Sequence, residues 1–98
     1  MEIIAGASQA LNIDFSKDQQ LVEQLRAHIP AMLSRLRYQN PVRNPFTDQI
    51  KLEFSVTFNI LWMVAESLSS KIGLQFNEDE IAFLTIYFQL AIEKSGVS

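Results

Sequence analysis

NPFTDQIKLEFSVTFNILWMVAESLSSKI, running from Asn44 to Ile72, carries apolar residues at helical spacing for longer than any other part of the chain. With each residue turned by about 100°, Ile50, Phe54, Leu61, Val64, Ala65, Leu68 and Ile72 fall on one face. Leu52, Val56, Ile60 and Met63 form a second apolar stripe on the other side. A helix apolar on two sides is either sandwiched between layers of its own domain or shared with a partner subunit. Asn44 followed by Pro45 fits an N-cap with proline at the first helical position, and Gly73 fits the left-handed residue after the last turn. The stretch is therefore expected to be one long central helix.

Working outward, the segment from about Lys17 to Arg37 places Leu21, Leu25, Ile29, Met32 and Leu36 on one stripe, with Leu33 alongside and Ser16 as a possible cap. His28 lies at the edge of that stripe, and Arg35, two turns later, falls within about 20° of it, so the two share one border of the helix. Pro30 cannot donate to the carbonyl of Arg26, which predicts a kink or break just after the histidine. Tyr38 to Arg43 reads as a loop. Met1 to Leu11 reads as a short amphipathic helix, joined by the turn-rich segment Asn12 to Ser16.

The last element has the clearest local grammar. Asn77 with Glu80 three residues on resembles a capping box, and Phe76 with Ile81 a hydrophobic staple. Glu78 and Asp79 suit the positive end of a helix dipole. The helix should run from about Glu78 to Lys94, with Ile81, Leu84, Phe88 and Ile92 on one face and Phe83, Tyr87 and Leu90 on another. No alternating strand pattern bounded by turns is present. The fold class is all-α, a compact bundle of four or five helices around the Asn44 to Ile72 element.

Ninety-eight residues allow one domain, residues 1–98, with a core that needs no staples. The chain has no cysteine, which removes disulfide, thiolate-metal and thiol-nucleophile chemistry. A formal charge of -3 and a pI of about 5.0 argue against a sequence-independent nucleic-acid or anionic-membrane surface. Only Arg35, Arg37 and Arg43 come close to a basic cluster, and such a group near a turn is ordinarily a solvated edge. No signal peptide is visible, and the uncharged run from Phe54 to Ala65 is too short to cross a bilayer, so a cytoplasmic chain with no membrane partner is expected.

Motifs for chemistry are sparse. There is no glycine-rich phosphate loop, no HExxH pair and no EF-hand loop, and neither a metal nor a cofactor is expected. Glu78, Asp79 and Glu80 are explained as helix-start residues, because consecutive helical positions point in different directions. His28 is the one group that ordinarily titrates near neutral pH, and on a half-apolar border it is either structural or functional.

LVEQLRAHIPAMLSRLRYQNPVRNPFTDQIKLEF, followed at the usual interval by GLQFNEDEIAFLTIYFQLAIEK, resembles the PTS regulation domain of bacterial sugar-operon antiterminators and activators. The resemblance extends through nearly all of the chain. Its specific parts are L-x-x-H with R-L seven residues after the histidine, N-P plus an apolar residue leading to I-K, and D-E-I-A-[YF]-L-T-[LI]. It implies an all-helical bundle that pairs into homodimers and is phosphorylated on histidine by the phosphocarrier protein or a sugar-specific component of the phosphotransferase system. Nucleic acid would be bound only through other domains of a longer parent protein.

On this resemblance His28 matches the first regulatory histidine and Arg35 the arginine that follows it. Arg35, Arg43 and Asn44 are the residues expected near a phosphate. The second regulatory histidine lies in L-T-[LI]-H-F, where this chain has Tyr87, which marks a degenerate second site. Phe54-Ser55 replaces an aromatic-proline pair often seen in the long helix, so a less interrupted helix is expected. Three functional readings stand at this point. They are a phosphorylation-responsive dimeric module, the same fold kept only for dimerisation or docking with His28 structural, and a small helical enzyme using His28, Arg35 and carboxylates.

Overall fold

The computed structural model describes residues 2–40 and 42–94, which form five α-helices and one 3-10 turn and contain no strand. Met1, where the first helix was expected to begin, and Pro41, within the expected loop, lie outside the described residues. The helices are α1 (Glu2–Leu11), α2 (Gln19–Arg37), α3 (Thr47–Glu53), α4 (Ser55–Ile72) and α5 (Glu78–Lys94), with the 3-10 turn at Phe15–Lys17.

The Asn44 to Ile72 stretch is two helices, not one. The backbone swings at Phe54, with φ −121° and ψ 45°, between α3 and α4. Its N–H still reaches Ile50 O at 2.8 Å and its carbonyl still accepts from Phe58 N at 2.9 Å, so the bend keeps both bonds. No proline marks it. Ser55, Val56 and Thr57 follow, three residues of modest helix propensity, and the turn at Phe54 lets Ile50 and Phe58 both enter the core. The start also differs from the expected N-cap. Asn44 accepts from Phe46 N through Oδ1 at 2.9 Å and from Thr47 N through its carbonyl at 3.2 Å, a turn over Pro45 and Phe46 that places the first helical residue at Thr47. The far end is as expected, with Gly73 at φ 70° donating to Ser69 O at 2.9 Å.

The two apolar stripes of this stretch have different fates. Ile50, Phe58, Leu61 and Ala65 are buried, with Phe54, Val64 and Leu68 packed against them, whereas Ile72 is exposed. On the other side Leu52, Val56 and Met63 are 82%, 66% and 68% exposed. Ile60 of the same stripe is half-buried, and among the described residues no layer covers the other three.

Gly6 of α1 lies so close to α4 that an added Cβ would stand 2.7 Å from Val64 Cγ1. Phe15 is buried edge-on against Phe88 with ring centroids 5.0 Å apart. The cap of α2 is Asp18, whose Oδ1 accepts from Leu21 N at 3.1 Å; Ser16 lies inside the 3-10 turn, which Asp14 caps. Nor does Pro30 break α2, which continues from Gln19 to Arg37. Its ring is on the exposed side, as is Arg26, so the carbonyl left without a helical partner lies on a solvent-facing stretch.

α5 shares the centre of the bundle. Ile81, Ala82, Leu84, Thr85, Phe88, Ala91 and Ile92 are buried, and the helix packs against α2, α3 and α4. Asn77 Oδ1 accepts from Glu80 N at 2.9 Å, as an N-cap should. The other half of the expected capping box does not form, because the Glu80 side chain turns into the interior. α2 and α5 run antiparallel: Lys94 meets Asp18 and Gln20 at one end, and Arg35 meets Glu80 at the other. Among the described residues no helix is long and apolar enough to cross a membrane.

Candidate functional site

His28 projects from α2 with its side chain 16% exposed. Its Nε2 is buried, makes no hydrogen bond and stands 3.9 Å from Glu80 Oε1. The ring lies edge-on to Tyr87, centroids 5.4 Å apart, and tilted against Phe83 at 6.3 Å. Arg35 comes from the same border of α2, as its spacing predicts. It grips Glu80 with a two-pronged fork, Nε to Oε2 and Nη2 to Oε1, both at 2.8 Å. Glu80 is 0% exposed.

The site is thus two seven-residue pairs facing each other across antiparallel helices, His28 with Arg35 and Glu80 with Tyr87. A separation of seven residues returns a helix to within about 20° of its starting direction, so each pair is a vertical file on its own helix.

Burial is the main influence on His28, and it holds the imidazole below its ordinary value of 6.5. Glu80 opposes this and Arg35 adds to it. The outcome is a neutral ring at neutral pH, with a lone pair available. On Arg35 the hydrogen bonds to Glu80 favour the charged form further. A buried ring nitrogen without a partner costs about 1–3 kcal/mol, which packing alone gives no reason to retain.

The other expected residues divide. Asn44 is buried in its turn and lines an apolar groove of about 540 Å³ together with Phe46, Ile50, Phe83 and Tyr87, so it borders the site through Phe83 and Tyr87, the two rings packed on His28. Arg43 is exposed and, among the described residues, pairs with neither Glu80 nor His28. The three acidic residues at the start of α5 go to three destinations: Glu78 to Lys51, Asp79 to Thr47, and Glu80 to Arg35 and His28.

Glu80 is the member that reading the sequence as a capping box misses. The signal was its seven-residue spacing from Tyr87, the same as that of His28 from Arg35.

Comparison with known proteins bears on the chain as a whole. The family model described as the PRD domain matches residues 1–91. The "Transcriptional regulator ManR" of Bacillus subtilis is 36% identical over 92 residues, 94% of this chain and 14% of that protein. The "Probable licABCH operon regulator" of the same species is 27% identical over 94 residues, 96% of this chain and 15% of its own length. "Protein GlcT" of Staphylococcus epidermidis is 30% identical over 80 residues, covering 82% of this chain and 28% of that protein. The chain therefore spans less than a third of the length of each of these relatives. No solved structure matches it. With an all-helical fold, the three ordered motifs and a family match over nearly its whole length, the chain belongs to the PRD domain family.

Proposed function

We propose that this chain is a phosphorylation-responsive regulatory module of a bacterial transcriptional regulator or antiterminator, and that His28 is its phosphoryl acceptor. The observation that carries the reading is the state of His28: neutral, half-buried, with a ring nitrogen that makes no hydrogen bond beside the Arg35–Glu80 pair. A donor phosphohistidine on the phosphocarrier protein or a sugar-specific component would supply the group. A lone pair of the imidazole attacks phosphorus, the bond from phosphorus to the donor nitrogen breaks, and the donor ring keeps the bonding electrons and takes up the proton that His28 releases. His28 then carries about two negative charges where it had none. It receives the group and turns nothing over, so the module is not an enzyme.

Residues 1–98 act as one such domain of a longer cytoplasmic protein, whose other parts bind nucleic acid; the short share of each relative that this chain covers supports this. Leu52 on α3, with Val56 and Met63 on α4, supplies exposed apolar surface for a homodimer. Phosphate shifts the balance between dimer arrangements only insofar as it favours one of them. A docking-only role would suit a buried, hydrogen-bonded His28 with no route for a donor; Nε2 is buried, but it makes no hydrogen bond and the side chain keeps 16% exposure. An enzyme would suit a concave site holding His28 and arginines, and the groove beside Tyr87 is lined by neither.

The test is sedimentation before and after incubation with phosphoenolpyruvate and the transferase proteins. The dimer population should change for the wild type and stay fixed for His28→Ala. A chain that dimerises but takes up no phosphate would leave only the docking reading, and a dimer population unmoved by phosphorylation of His28 would overturn the shift between arrangements.

A further inference from the structure

One oxygen of Glu80 is shared by both partners on α2. Oε1 accepts from Arg35 Nη2 at 2.8 Å and faces His28 Nε2 at 3.9 Å, so the guanidinium stands one carboxylate oxygen away from the imidazole. Both Glu80 oxygens are satisfied by this one cation, and the carboxylate has no exposure to water. The same residue's N–H is held by Asn77, so the Glu80 side chain fastens the first turn of α5 to α2. Neighbouring ties from Glu78 to Lys51 and from Asp79 to Thr47 fasten that turn to α3.

We infer that Arg35 is a single cation for which Glu80 and a phosphoryl group on His28 compete, and that its capture by the phosphate releases the first turn of α5 from α2. The inference rests on the reading of His28 as phosphoryl acceptor and adds the device by which the phosphate is felt. A group of about two negative charges arriving beside a buried carboxylate repels it and offers the arginine a stronger partner. Arg35 and His28 lie on one file of α2, so the fork closes within that helix instead of between helices. Glu80 is then left buried without its cation, a costly state that the chain relieves by letting the turn move. Phe83 and Tyr87 follow on the same helix and line the groove shared with Asn44 and Ile50, so the release reaches the α3 side of the bundle. Glu80 is in this sense a positioning residue: it sets where Arg35 waits.

Amide hydrogen exchange over Glu80 to Leu84, with Phe88 to Ile92 as internal reference, tests this on the whole chain. His28→Glu places a carboxylate at the acceptor position without any transferase, and His28→Gln is its neutral control. Exchange at the start of α5 should rise about tenfold or more in His28→Glu and in the phosphorylated chain, stay at the wild-type level in His28→Gln, and leave the reference segment unchanged. Glu80→Gln, which keeps the shape and removes the charge, should exchange fast already and not respond to phosphorylation. Wild-type protection in His28→Glu, in the phosphorylated chain or in Glu80→Gln overturns the inference, and Glu80→Gln decides it should His28→Glu fail to fold. If the transferase proteins add no phosphate to His28, the proposed function falls, while His28→Glu and Glu80→Gln still decide whether the clamp answers to charge.

Discussion

Arg35 on α2 and Glu80 on α5 are joined by two parallel hydrogen bonds of 2.8 Å, and the carboxylate end of that fork is fully buried while the guanidinium end is 27% exposed. The pair is therefore unequal. Arg35→Ala leaves a charge stranded in the interior and should cost about 3 kcal/mol or more in urea unfolding. Adding Glu80→Gln to it removes that charge and should recover more than half the loss. Equal stability of the single and double variants would show that the loss does not come from a stranded charge.

The titration of His28 gives a second prediction. Its folded value lies below the ordinary 6.5, mainly through burial, with Glu80 pulling the other way and Arg35 reinforcing it. The unfolded chain therefore takes up the proton first. Stability is fully present above about 6.5 and is lost progressively as pH falls through that value towards the folded one. Unfolding measured from about pH 7 to about pH 5 should show this fall in the wild type and lose it in His28→Gln. Equal slopes in the two proteins would place the pH dependence elsewhere.

Gly6 gives a test of packing. Alanine at position 6 gains about 0.5–1 kcal/mol of helix propensity but drives its Cβ to 2.7 Å from Val64 Cγ1, on a β-branched side chain with little freedom to turn. Overpacking of this kind costs about 1–3 kcal/mol, so Gly6→Ala should lower the thermal midpoint. Val64→Ala in the same chain makes room and should restore part of the loss, a coupling read by a double-mutant cycle.

Tyr87 stands where the second regulatory histidine of such domains is expected, with its ring 5.4 Å from that of His28. If that position is a lost acceptor in an otherwise intact site, Tyr87→His should take up a second acid-labile phosphate under transfer conditions. Tyr87→Phe should behave as the wild type. A single phosphate in Tyr87→His would mean that more than the side chain separates this position from an acceptor.

How much of this was legible differs from residue to residue. The Gly73 stop and the Asn77 cap are local chemistry, where one or two residues determine the backbone, and both hold. The shared border of His28 and Arg35 follows from spacing alone and also holds. The bend falls at Phe54-Ser55, where the resemblance has an aromatic-proline pair; the less interrupted helix expected from losing that proline is not found, because the bend keeps both flanking hydrogen bonds and needs neither proline nor glycine. Asn44 and Pro45 read equally well as a cap or as a turn before one, and only the position of Thr47 decides between them. Glu80 was hidden by a sufficient local explanation: the third residue of a capped helix is a good place for a glutamate, whatever its side chain does. Periodicity placed Leu52, Val56, Ile60 and Met63 on one stripe, but spacing reports direction and not what lies there.

Every regulatory consequence of the Arg35–Glu80 clamp begins with His28 as a phosphoryl acceptor. Intact mass after incubation with phosphoenolpyruvate and the transferase proteins tests this directly. The wild type should gain one acid-labile phosphate and His28→Ala none. A wild-type chain that gains no phosphate from any donor, or a phosphate that persists in His28→Ala, would contradict it.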